Sequence, residues 1–524
     1  MFIPKRSVLF AGLVFLPVFG GEHRQNLGRD DYSEITRQED LPALLVQGSP
    51  RLAADDRHGE RLAGIGFHVR AGEPLQMHTD IRMHDLNASH VIGAHGEGTH
   101  VRYRGRWEAD GGNAFPHLLL TEGARFTFEA ESEMNLTLQG SLFTRHLWVS
   151  GDGTGTLEMA EDFVADRTRH EPVADAMGAI RLHHVTLVTH HTRGLPNNLR
   201  PDGRRGVYEN GYLIFDEGPR ENPATRWIVK TNNQTYPAQI DFFADGTIET
   251  QTHLTHTGHR RIAEPVGAAG RFLSPAAFRT ARENVTITKD GPAMLALDGE
   301  QSYLPGSRLH VLDGQLRVAT NPGLTGRVQR ESGPHLTLTA FNDAHVHFTA
   351  PVMAFEHIEL RDKSVAWLDE GCHLSTRKGI RVGADAVFHA QGRLEGPVSV
   401  EGRLQTRAGI SPLRTEDLSV DGSLTLEVPP RPRTPVLRVD GTLQIRGTLD
   451  LLFTGDAARL PEEPVLLAIA ETIAPPLPTR EIPVGDGRHR LRLSQERNRL
   501  WLTPLLSPSP QESEQIETDK RDVK

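Results

Sequence analysis

The chain of 524 residues carries a single cysteine, Cys372. No disulfide can close within it, so its stability has to come from packing. It also lacks any excess of positive charge: 58 Lys and Arg stand against 68 Asp and Glu, a formal net charge of −10. That balance gives no general pull towards nucleic acid or anionic lipid, and no nucleic-acid partner is expected. Long Ala/Leu/Glu/Lys-rich helical stretches are scarce. A phosphate-cradling loop, a zinc signature, a Gly-x-Ser-x-Gly elbow and a redox cysteine pair are all missing, which removes the commonest sequence-readable enzyme classes.

What is there is the texture of an all-β chain. Short Val, Leu, Thr and Phe runs are broken by Gly, Asp and Asn, with 50 Gly and 34 Pro in total. Met1 to Arg6 is a short basic stretch, and the apolar run Ser7 to Phe19 is interrupted by Pro17. This reads as a secretory signal peptide over 1–20, too short to anchor the mature chain, which is left with no transmembrane segment. An exported chain of this size with one cysteine points to a bacterial source and to a periplasmic, cell-surface or extracellular destination.

The strongest signal is a phrase that returns at nearly constant spacing: apolar-x-apolar, an acidic residue, Gly, x, Leu. Its copies are Val398–Leu404, Leu418–Leu424 and Leu437–Leu443, with glycines at 402, 422 and 441. Taking Ile358, Ile380, Val398, Leu418 and Leu437 as equivalent positions gives steps of 22, 18, 20 and 19 residues. A period near twenty, holding two or three short strands and their turns, predicts a right-handed parallel β-helix. Alternation then places Leu424, Leu426 and Val428 inward, with Thr425 and Glu427 outward. Glycine after the acidic residue is expected at a bend of positive φ. The competing architecture treats Asp421-Gly422 and Asp440-Gly441 as hairpin turns of an antiparallel sandwich.

The expected organisation is a signal peptide at 1–20, an N-terminal extension or cap at 21–75, and a parallel β-helix at 76–415 with long loops at 166–280. A β-rich C-terminal cap follows at 416–505, and an acidic, disordered tail at 506–524. Ala408-Gly409-Ile410-Ser411-Pro412 followed by Leu418–Leu424 resembles bacterial passenger proteins with autotransporter-associated β-strand repeats. So do Val439–Leu443 with Gly447-Thr448-Leu449, Leu466–Ile469, and the earlier glycine-rich Gly151–Gly155. The resemblance covers about 396–502 and implies an exported solenoid, passenger-like in shape. The C-terminal membrane β-barrel of those proteins has no counterpart here, since no alternating strands of about ten residues follow 505.

Candidate chemistry lies among histidines and carboxylates. His183-His184, His190-His191, His253, His256 and His259 suggest metal ligands, yet adjacent or three-apart residues on a strand face opposite sides. His345 and His347 do share a face, but no third ligand stands at usable spacing. Glu401, Asp421 and Asp440 have the rung spacing that paired catalytic carboxylates on a solenoid need. They also precede each repeat glycine, where acidic residues serve turns. Asp55-Asp56 and His95-Gly96-Glu97-Gly98 do not reproduce the blocks of polygalacturonase-like enzymes. Cys372 beside His373 cannot form a nucleophile–base pair on one strand. The reading is therefore no catalytic, cofactor or metal residue, and a non-enzymatic surface or extracellular solenoid for adhesion or structure. Its expected partners are polysaccharide or cell-envelope or matrix components. The alternative is a secreted polysaccharide lyase or glycoside hydrolase of the pectin-lyase-like β-helix type, with the 166–280 excursions walling its groove.

Overall fold

The computed structural model describes Ser33–Ile35 and most of 66–505, leaving out chiefly 136–145, 161–178, 196–211, 217–224, 258–276, 324–333 and 455–462. The expected signal peptide, most of the expected extension at 21–75, and the expected tail lie outside the described residues. Every regular element described is a β-strand.

The inward side chains explain why the strands form where they do. Ser423–Val428 alternates between half-buried and buried, with Leu424, Leu426 and Val428 wholly buried. His345–Phe348 and Val365–Leu368 alternate in the same way. A strand with one apolar face cannot cover that face itself, so successive strands stack. Gln239–Phe242, Gly246–Thr250 and Leu254–His256 lie in three different sheets, and the chain then returns to each sheet in turn. Ala277–Thr280 pairs with Gln239–Phe242, Thr286–Asp290 with Gly246–Thr250, and Met294–Leu297 with Leu254–His256. All three returns are parallel. The result is an all-β architecture of repeated parallel sheets, as in a β-solenoid.

The first sheet holds ten strands and ends at Glu300–Ser302. Downstream, a new ladder starting at Val352–Phe355 fills the third side of each turn and joins the second sheet at Leu437–Ile445. The second sheet is open at both ends: Pro74–His78 pairs with His100–Arg104, and Arg480–Val484 with His489–Glu496. Parallel pairing continues beyond residue 416, through Thr448–Phe453 to Val465–Ala474, which lies parallel to Leu437–Ile445. Antiparallel pairing then takes over among Val465–Ala474, Arg480–Val484, His489–Glu496 and Arg499–Leu505, burying Leu491, Leu493, Leu500 and Leu502.

The repeat needs one correction. Ile358, Ile380, Val398 and Leu418 are register partners in succession, as their spacing implies. Leu418, however, pairs with Leu443, whereas Leu437 pairs with Leu413. The equivalent of Leu418–Leu424 is thus Leu443–Leu449, whose glycine is Gly447. Leu437–Ile445 is one continuous strand that carries a register shift, not a hairpin turn, at Asp440-Gly441. It satisfies two neighbouring ladders with two similar phrases, which is why the spacing alone misphases it. The hairpin reading fails as well, because Leu418–Val420 and Ser423–Val428 belong to different sheets.

The glycines also act differently from expectation. Gly402, Gly422 and Gly447 are absent from the positions of positive φ. A Cβ on Gly402 would meet the carbonyl oxygen of Gly383, one on Gly422 that of Gly402, and one on Gly447 that of Gly422. Close approach between stacked turns, not a left-handed bend, demands glycine there.

Candidate functional site

The third sheet carries its most distinctive side chains on its outer surface. In His345–Phe348, Val346 and Phe348 point into the core, which leaves His345 and His347 outward. Parallel register then lines up residues far apart in sequence. Arg317 lies beside His347, His347 beside Trp367, Trp367 beside His389, and His389 beside Gln405. The parallel column runs Gln315, His345, Val365, Val387, Arg403. Adjacent strands are about 4.8 Å apart, so five rungs form a strip about 19 Å long.

A groove of about 370 Å³ runs over this strip, from Met294 and Gln315 past Trp367 to Arg407. Trp367 is wedged between histidines. His389 stacks on it with centroids 5.7 Å apart and planes 8° apart, while His345 meets it edge-on at 5.1 Å. Its indole N–H meets no acceptor among the described residues. Burial, with the guanidinium groups of Arg407 and Arg403, holds His389 below the usual imidazole range, so it stands neutral at pH 7. Arg317 is fixed by two bonds to Asp298, at 2.9 and 2.7 Å. His347 Nε2 bonds Asp369 Oδ1 at 2.8 Å. Asp369 is the single carboxylate among the residues lining the groove. Arg403 and Arg407 are exposed and have no ion-pair partner among the described residues.

The remaining sequence candidates are dispersed. Glu401 pairs with Arg381 at 2.8 Å, Asp421 with Arg446 at 3.2 Å, and Asp440 with Arg438 at 3.0 Å. These exposed pairs lie on the outer surface, that of Asp440 within one strand, and do not converge on a cleft. His183 and His184 depart from the expectation that they diverge. His184 takes a φ of 50°, which breaks strand alternation and brings the two rings edge-to-face at 4.7 Å. His190 bonds Glu158 at 2.9 Å. His253 is exposed, whereas His256 is fully buried and bonds the Ala238 carbonyl at 2.9 Å. His95 bonds Thr121 at 2.6 Å. Cys372 is buried, and burial with Asp369 nearby pushes its thiol up, while His373 turns to Glu395 at 2.6 Å. His259 and Asp55-Asp56 lie outside the described residues. No group of three or more metal-binding side chains occurs among the described residues.

Reasoning from the sequence missed Trp367, Arg317, His389 and Arg407. The signal was available: Trp367 follows His347 by one rung and precedes His389 by another. It needed the strands to be aligned before their outward residues were compared.

No family model matches the chain, and neither does any curated protein. Among solved structures, the crystal structure of the Haemophilus influenzae Hap adhesin aligns at 12% identity with a TM-score of 0.27. The alignment covers 84% of this chain, which spans 64% of the length of that one. The fold described above rests on the chain's own strand pairing.

Proposed function

We propose that this chain is an exported, non-enzymatic, right-handed parallel β-helix, passenger-like in form, whose long outer face serves surface adhesion or matrix structure. A leader at 1–20 and caps at 21–75 and within 416–505 complete the proposed organisation. The observation that carries the reading is the groove over the third sheet. It runs along a strip that sets Arg317, His347, Trp367 and His389 in register, and only one carboxylate, Asp369, lines it. Glycoside hydrolysis takes two carboxyl groups flanking the bond. An extended solenoid face with one acid and several donors suits binding better than cleavage.

The test exposes purified 21–524 to acidic and neutral polysaccharides, with and without calcium, and to cell-envelope and matrix preparations. New chain ends and retention are both followed. The reading predicts retention on at least one surface material without new chain ends. Depolymerisation of any polymer, or no retention on any material, contradicts it.

A further inference from the structure

We infer that the groove over Trp367 binds a carboxylate-bearing polysaccharide laid along the stacking axis, across successive rungs. The inference rests on the adhesive reading above and names the ligand class for that face.

Three observations lead to it. The strip is long and narrow, about 19 Å over five rungs, which suits a linear polymer rather than a compact ligand. Its donors greatly outnumber its acceptors. Arg317, Arg407, Gln315 and the Trp367 indole line the groove, with Arg403 on the neighbouring column. Arg403 and Arg407 lack carboxylate partners among the described residues, although the chain as a whole is acidic at −10. Arg317 stands towards one end of the strip, and Arg403 and Arg407 lie at the two ends of one strand towards the other. Guanidinium groups separated along the stacking axis match carboxylates repeated along a polymer, and Arg takes carboxylate bidentately. Finally, the Trp367 edge offers an apolar contact with a hydrogen-bond donor at its rim, the combination that a sugar with one apolar face and many hydroxyls requires. Asp369, held by His347, supplies an acceptor for a sugar hydroxyl.

Orientation follows from what is already tied down. Arg317 is locked to Asp298 and acts as a fixed wall at one end of the groove. Arg407 at the other end is free to reach the ligand. His389, neutral and stacked on the indole, holds Trp367 upright without adding charge.

The test uses the full mature chain with polygalacturonate oligomers as the acidic probe and cello-oligosaccharides as the neutral one, read by calorimetry and tryptophan fluorescence. The wild type is expected to bind the acidic probe preferentially, and more weakly as salt rises. Trp367→Ala should weaken binding by about tenfold or more. Trp367→Phe should retain part of it, and Arg407→Gln should remove the preference for the acidic probe. Unchanged melting temperatures and circular dichroism separate these losses from unfolding. No binding of the acidic probe, equal binding of both probes, or wild-type affinity in both Trp367→Ala and Arg407→Gln would overturn the inference. If such a result came with intact retention on envelope or matrix material, the groove assignment would fail while the adhesive reading stood. Loss of retention as well would remove both.

Discussion

Residues 66–302 and 337–453 build the same kind of stacked parallel sheet by different means. In the downstream region the returns are short, with register partners Leu338, Ile358, Ile380, Val398 and Leu418. Its core is largely aliphatic, and charges such as Arg381 and Glu401 sit outside in exposed pairs. In the upstream region the returns are longer and uneven, as from Leu187 to Trp227 or Ile248 to Lys289. Its core is aromatic, with Tyr103, Phe126 and Phe128 in contact and Phe215 stacked on Phe242 at 4.4 Å. Outward positions there are buried too. Glu158 is 8% exposed and Asp241 is 4% exposed.

The contrast teaches what buried charge demands. Where nothing covers the outer face, charge stays in water and its pairs add little. Once outward positions are buried, each acid needs a partner. Arg279 holds Asp241 at 2.6 Å, Gln239 adds a bond of 2.7 Å, and Arg102 and Arg104 both meet Glu129. At Glu158, burial works to raise the carboxyl, but the hydrogen bond from His190 and the charge of Arg125 outweigh it and hold it below the usual range.

The largest expected effect breaks the upstream arrangement. Arg279→Ala strands a buried carboxylate and should cost about 3 kcal/mol in chemical denaturation. Arg381→Ala, which frees the exposed Glu401 and leaves Glu359 still held by Arg361, should cost less than about 1 kcal/mol. Equal costs would erase the distinction between the two regions.

The next effect sharpens the downstream register. Gly447→Ala places a Cβ against the Gly422 carbonyl and should cost about 2 kcal/mol. Gly441→Ala meets chiefly a side-chain oxygen of Asp417, at 2.5 Å, and should cost distinctly less, because a side chain can move aside. The reverse order would restore the simple nineteen-residue phasing.

Lys289 gives an effect of similar size that only the upstream core should show. It occupies an inward position beside Ile248, fully buried, and donates to the carbonyls of Asp290, Gly291 and Asp313 at 2.9, 2.6 and 2.8 Å. Burial lowers its ammonium to about 8, against the opposing charges of Asp313 and Asp290. The unfolded chain then binds more protons than the folded one between pH 8 and the unperturbed lysine value near 10.4, so stability should rise across that interval. The gain to pH 10 is about 2 kcal/mol, and Lys289→Met should flatten it. Above pH 10 the buried Tyr236 and Tyr303, whose hydroxyls burial raises above the ordinary range, reverse the trend as the unfolded chain ionises first. Denaturation midpoints between pH 7 and 10 check the slope.

How much of this the sequence discloses follows the same divide. Leu424, Leu426 and Val428 could be placed inward from alternation alone, because a short return leaves the period visible. The same regularity misled at Leu437, where two adjacent ladders share one strand and repeat one phrase. Glu158 and Asp241 were illegible, because their partners His190 and Arg279 lie 32 and 38 residues away across excursions. The groove was hidden for a third reason. Its residues share neither a motif nor a segment, and only the pairing of His347 with Trp367 and of Trp367 with His389 makes them neighbours.

The in-register parallel stack underlies both the scaffold and the groove, and paired cysteines in a Cys372→Ala background test it most directly. Ser419 is the register partner of Ser399 on one side and of Gln444 on the other. Neighbouring strands lie within disulfide reach, whereas positions displaced by several residues along a strand do not. Mild oxidation should therefore close a disulfide in the double variant Ser419→Cys with Ser399→Cys, and in Ser419→Cys with Gln444→Cys. The double variant Ser419→Cys with Arg438→Cys should stay reduced. Efficient joining through Arg438→Cys, with none through Gln444→Cys, would contradict the register on which the account stands.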